Sequence, residues 1–124
     1  MPKKIVFIED EPALQKSLGS FLRQEGYDVD SALDGETGLK LAKTQNPDLI
    51  LLDIILPKMD GFEVLEALKS DEKTKNIPVI VLTNLERMKD VEQALVTGAT
   101  SYLIKTDYDL RELVQKVKQA IKQK

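Results

Sequence analysis

The sequence predicts an α/β fold, a doubly wound parallel sheet of five strands with helices on both faces. Three observations predict it. Five short strand-like runs alternate strictly with five segments of helical period, the pattern of consecutive strand–helix units. Three of the runs, residues 4–9 (KIVFIE), 49–53 (LILLD) and 78–83 (PVIVLT), are almost continuously apolar, as strands covered on both faces are. Turn and stop residues fall between the segments: Gly26, Asp34-Gly35, Asn46-Pro47 and Gly98.

Each element follows in order. Residues 4–9 form the first strand. Pro12 suits the first turn of a helix, in which Leu14, Leu18, Phe21 and Leu22 recur on one face until Gly26. Residues 28–32 (DVDSA) are a weaker, partly polar strand, and Asp34-Gly35 turns into a helix running to about Thr44 with Leu39, Leu41 and Ala42 apolar. After the strand 49–53, Gly61 opens a helix with Phe62, Leu65 and Leu68 on one face. A polar loop, SDEKTKN, leads to the strand 78–83. Met88, Val91 and Leu95 mark the fourth helix, residues 101–104 the last strand, and Leu110, Leu113, Val114, Val117 and Ile121 a final amphipathic helix. Lys116, Lys118, Lys122 and Lys124 at its end read as complements to the helix dipole on a solvated face.

Composition narrows the chemistry. A chain of 124 residues fits one domain, expected to span residues 1–124. A net charge of −3 gives no basis for binding nucleic acid or an anionic membrane directly. The N-terminal apolar run covers only residues 5–8, too short for a signal peptide, so the expected location is the cytoplasm. With no Cys there is no thiolate chemistry or disulfide, and with no His there is no imidazole base and no histidine–zinc site. What remains is carboxylates, lysines, hydroxyls, backbone groups and a hard metal.

In an open parallel sheet, ligands bind beyond the carboxyl ends of the strands. There the sequence places Glu9 and Asp10 at the end of the first strand, followed by Glu11, with Asp53 at the end of the third, Thr83 at the end of the fourth and Lys105 at the end of the fifth. Alone, Glu9 to Glu11 could serve a helix N-terminus, Thr83 could fill a strand, Lys105 could be a solvated lysine and Tyr102 could simply pack. Taken together they point elsewhere. Two carboxylates about 4 Å apart repel by roughly 4 kcal/mol at an effective dielectric near 20, so acids gathered at one rim call for a cation. Oxygen ligands from Asp10, Asp53, Glu9 and the backbone carbonyl of Ile55 suit Mg²⁺, or Mn²⁺. Asp53 would keep one oxygen able to attack an electrophile, and Lys105 and Thr83 could stabilise a phosphoryl group bound there.

Four motifs in order, FIEDEP, LLDIILPKMDGFE, VIVLTN and GATSYLIK, together resemble the receiver domain of two-component response regulators over essentially the whole chain. The resemblance implies strand order 2-1-3-4-5, as in flavodoxin-like folds. It implies a phosphoryl group accepted on Asp53 from the phosphohistidine of a histidine kinase or phosphotransfer protein, with Mg²⁺ at Glu9, Asp10 and Asp53. It further implies phosphate contacts from Lys105, a Thr83–Tyr102 switch pair, and a face of helix 4, strand 5 and helix 5 read by a downstream partner or output domain. Such a chain acts as a signalling switch rather than an enzyme on other substrates, as a monomer or as a dimer formed on phosphorylation.

The chain departs from the family pattern at four places. Glu9 stands where Asp is usual, which lengthens the metal arm. Asn84 follows Thr83 where a smaller residue is usual, and its amide would crowd or contact the phosphate. Thr106 replaces the usual proline after Lys105, which favours a trans bond there, because a cis bond without proline costs about 2.5–4 kcal/mol. Ile55 and Leu85, two residues past Asp53 and Thr83, are apolar and would hinder a hydrolytic water, predicting a long-lived phosphoryl group. Pro57 and Gly61 read as loop geometry. Three rival functions fit less well, one of them a receiver-like scaffold that binds partners without phosphorylation, which Asn84 and Thr106 would favour but which the presence of every key residue opposes. A haloacid-dehalogenase-type phosphatase carries a second Asp where this chain has Ile55. A flavodoxin-like cofactor carrier needs a Ser/Thr/Gly first loop where this chain has EDEP.

Overall fold

The computed structural model describes residues 2–56, 59–83, 88–105 and 109–122. Strands β1 (Lys4–Ile8), β2 (Asp28–Ala32), β3 (Leu49–Asp53), β4 (Val79–Thr83) and β5 (Ser101–Ile104) alternate with helices α1 (Pro12–Gln24), α2 (Gly35–Gln45), α3 (Gly61–Ser70), α4 (Met88–Thr97) and α5 (Leu110–Lys122). Every strand pairing is parallel and the order is β2-β1-β3-β4-β5, as the resemblance implied. Polar β2 lies at an edge, while the apolar β3 and β4 are buried along their whole length.

Strand alternation divides the core in two. Val6, Ile8, Ile50 and Leu52 face α2, α3 and α4, meeting Ala42, Leu65 and Ala94 among others. Ile5, Phe7, Leu49 and Leu51 face α1 and α5, meeting Leu18, Leu22, Leu113 and Val117. Helix ends are set locally. The Asp34 carboxylate accepts from the Thr37 amide at 2.8 Å, and Asn46 closes α2 in the left-handed region at φ 51°. Asp60 and Glu63 form a capping box at the start of α3.

Several helix faces differ from the periodic reading. In α1 the buried residues are Gln15, Leu18, Gly19 and Leu22, and Leu14 and Phe21 are only half-buried. In α4 Ala94 is buried and Leu95 is exposed; in α5 Leu110 is exposed and Ala120 is buried. In α2 the buried face is Gly35, Gly38 and Ala42 rather than the leucines. Small residues win there because the helix lies directly on β1. A Cβ on Gly38 would sit 2.4 Å from Ile8 Cδ1, closer than real side chains come. Hydrophobic period locates a helix, but the residue that reaches the sheet is the one whose size fits the gap.

Candidate functional site

The β1–β2 register ends at Ile8 and Ala32, so Glu9 stands one residue past the ladder. Its amide donates to the Ala32 carbonyl at 3.0 Å, and its side chain turns inward to complete burial, whereas Asp10 is exposed. Asp53 ends β3 with 1% of its surface accessible. One of its oxygens, Oδ1, accepts from the Ile55 amide at 3.1 Å, and Oδ2 accepts from Lys105 Nζ at 3.2 Å. The Lys105 amide donates to the Thr83 carbonyl at 2.7 Å, which fixes the base of that side chain to the end of β4. The Lys105 ammonium also lies 3.0 Å from Glu9 Oε1. Apart from that ion pair, the buried Glu9 Oε1 has no partner among the described residues.

Glu9, Asp10 and Asp53 each bring a carboxylate oxygen within 4.8 Å of the others. They line one open cleft with Glu11, Ile55 and Lys105. Desolvation, then the hydrogen bond and charge of Asp53, push the Glu9 carboxyl from an ordinary 4.5 up to about 8, against the opposing pull of Lys105. Desolvation pulls the Lys105 ammonium down, but Glu9 and Asp53 together outweigh it and hold its pKa above the ordinary value. Three carboxylates against one ammonium, with one buried oxygen lacking a hydrogen bond, fit a hard divalent cation.

The start of α3 shapes the floor beneath Asp53. Gly61 donates to the Ile54 carbonyl at 2.8 Å, and a Cβ there would lie 2.4 Å from Ile54 Cα and 2.5 Å from the Asp53 carbonyl oxygen. Gly61 is thus a backbone contact of the Asp53 turn as well as the first residue of a helix. Thr83 is fully buried at the end of β4, in register with Ile104, and Tyr102 is half-buried in β5; neither lines the cleft. Asn84, Leu85, Pro57 and Thr106 lie outside the described residues, and so does the Lys105–Thr106 bond.

Two side chains make contacts that the sequence reading missed. Gln15, on α1, donates to backbone carbonyls at the ends of β1 and β2. Lys116 is no mere solvated lysine: its ammonium donates to the Tyr102 carbonyl at 2.7 Å and sits 4.9 Å from the centre of the Tyr102 ring. Neither carries a motif. A polar residue inside an otherwise apolar helical face was the only available signal for Gln15.

Comparison with known proteins agrees with this architecture. The response regulator receiver domain family matches residues 5–118, and the chain belongs to that family. It is 43% identical over 118 residues to the DNA-binding dual master transcriptional regulator RpaA of Synechocystis sp., covering 95% of this chain and 48% of that protein. The chain therefore spans about half the length of that relative. Among solved structures, it is similar to the receiver domain of sensor histidine kinase PA1611 from Pseudomonas aeruginosa PAO1, whose active-site cleft coordinates a magnesium ion. That match has a TM-score of 0.89, 30% identity and 98% coverage of both chains. A CheY-like response regulator receiver domain protein from Methanospirillum hungatei JF-1 superposes with a TM-score of 0.91 at 28% identity, covering 99% of this chain and 96% of that one. The family is one of phosphorylation-dependent, two-component signalling domains rather than classical enzymes. Among the described residues, no helix is long and apolar enough to cross a membrane.

Proposed function

We propose that this chain is a phosphorylation-operated switch in which Asp53 is the phosphoryl acceptor. The observation that carries the reading is the convergence of Glu9, Asp10 and Asp53 with Lys105 in a single cleft at the carboxyl end of the sheet. An Asp53 oxygen attacks the phosphorus of a phosphohistidine on a histidine kinase or phosphotransfer protein. The phosphorus–nitrogen bond breaks, and the imidazole leaves with the electron pair. Lys105, already 3.2 Å from Asp53 Oδ2, follows the negative charge onto the phosphoryl oxygens. Glu9, Asp10, Asp53 and the Ile55 carbonyl would hold Mg²⁺, with Mn²⁺ as a substitute of the same ligand preference. When bound, the ion supplies charge neutralisation for the transferred group.

Thr83, at the adjoining strand end, then offers its hydroxyl to the phosphoryl group, and Tyr102 moves into the space left behind. The face formed by α4, β5 and α5 changes shape and is read by a protein partner or an output domain. The chain acts as one receiver domain in the cytoplasm, a monomer or a phosphorylation-dependent dimer, with no direct contact to nucleic acid or membrane. Incubation with acetyl phosphate and MgCl₂, followed by intact-mass measurement, tests the assignment. Wild-type protein should gain one phosphoryl group and Asp53→Asn none; labelling of the Asn variant to the same stoichiometry would show that the acceptor lies elsewhere.

A further inference from the structure

We infer that Gln15 is a positioning residue that aims the Glu9 and Asp10 carboxylates. The inference rests on the proposed reading of the cleft as a divalent-metal site. Gln15 lies one turn into α1, only 7% exposed. Its Nε2 is 2.9 Å from the Phe7 carbonyl, 3.1 Å from the Glu9 carbonyl and 2.9 Å from the Ala32 carbonyl. One amide nitrogen therefore joins the end of β1, the end of β2 and the first residue beyond the ladder.

That placement matters because the ladder stops at Ile8. Past it, the Glu9 backbone has two ties: its N–H to the Ala32 carbonyl at 3.0 Å, and its carbonyl to Gln15. Ala32 serves both, so Glu9 and Gln15 share an anchor. Fixing the peptide groups on both sides of Glu9 fixes the direction of its Cα–Cβ bond, and with it the path of the chain into Asp10.

The orientation of the amide follows from its surroundings. Turned over, it would set Oε1 against three carbonyl oxygens. As placed, two N–H groups serve three acceptors, and Oε1 is buried without a partner. A Leu or Met would fill the same volume without stranding that oxygen, so packing does not account for a glutamine here; its donors do. Mg²⁺ demands near-ideal octahedral geometry, so small errors in ligand direction are costly, and residues that orient ligands typically change metal affinity about 10–100-fold.

The test replaces Gln15 by Met, which keeps the volume and removes the donors. Calorimetric titration with MgCl₂, at a temperature where both proteins are folded, should show affinity weakened about 10–100-fold in Gln15→Met. A purely structural role would lower the unfolding midpoint and leave the Mg²⁺ affinity of the folded protein unchanged, and that result overturns the inference alone. Failure of the wild-type protein to bind MgCl₂ overturns the metal reading itself. Should Gln15→Met not fold, NMR of the metal-free wild type decides. The Gln15 side-chain amide protons should exchange far more slowly than those of exposed glutamines such as Gln24, and equal exchange rates refute the inference.

Discussion

Glu9→Gln isolates the electrostatic consequence of folding this site without a cation. In the wild-type protein the Glu9 carboxyl is fully buried and its pKa rises from 4.5 to about 8, by desolvation first and by Asp53 second. A raised folded-state pKa means that the native state holds a proton the unfolded chain has lost. The resulting stability is fully present below pH 4.5 and disappears as pH climbs through about 8. At ~1.36 kcal/mol for each pH unit between those values, the loss has a ceiling of about 5 kcal/mol, and its steepest slope approaches one proton. Lys105 stays charged across this window because its own pKa is held above the ordinary lysine value. Guanidinium unfolding from pH 5 to pH 9 in EDTA measures the effect. Wild type should lose several kcal/mol relative to Glu9→Gln over that range, and excess MgCl₂ should remove most of the difference by stabilising the ionised carboxylate. Parallel pH profiles for the two proteins in EDTA would refute the burial and coupling assigned to Glu9.

The other predictions concern the same cleft. Lys105→Met strips the cation from Glu9 and Asp53 and should lower stability in EDTA by about 3–5 kcal/mol, as breaking a buried ion pair does. MgCl₂ should restore much of that loss, and an equal loss with and without Mg²⁺ would contradict the ion-pair account. Gly61→Ala drives a Cβ into the backbone of Ile54 and Asp53, which cannot yield as a side chain can. It should cost about 1–3 kcal/mol or more by thermal unfolding, with a fall in acetyl-phosphate labelling; a neutral effect on both would contradict the close approach. Ile55 lines the cleft, 45% exposed, and should impede water, so the phosphoryl group should persist for minutes or longer after removal of the donor. Decay within seconds, followed by intact mass, counts against that shielding.

The parallel sheet and the convergence of carboxylates with Lys105 were legible because both follow from alternation and from which residue ends each strand, whereas the strand order came only with the resemblance to the receiver family. Asp53 at the close of LILLD is readable in this way: a strand of period two carries its last residue to the rim wherever the sheet is built. Less legible was what depends on closeness between elements. Of the α2 face of Gly35, Gly38 and Ala42, only Ala42 carries a hydrophobic signal, because at Gly38 the helix sits too near Ile8 for anything larger.

The burial of Glu9 was equally hidden. Its neighbours Asp10 and Glu11 are exposed, and three acids in a row look alike on paper. They differ only because Ala32 and Gln15 tie the Glu9 backbone while Asp53 and Lys105, distant in sequence, close over its side chain. The same closure explains why the cleft suits a switch. Ionising Glu9, a carboxyl desolvated beside Asp53 with a single ammonium between them, would leave negative charge short of compensation, so the resting protein holds a proton there instead. A cation relieves that imbalance. A phosphoryl group on Asp53 would add about −1.5 to −2 charges at the same point, so the ammonium and the neighbouring strand ends, which carry most of the local polar groups, are where a structural response must begin.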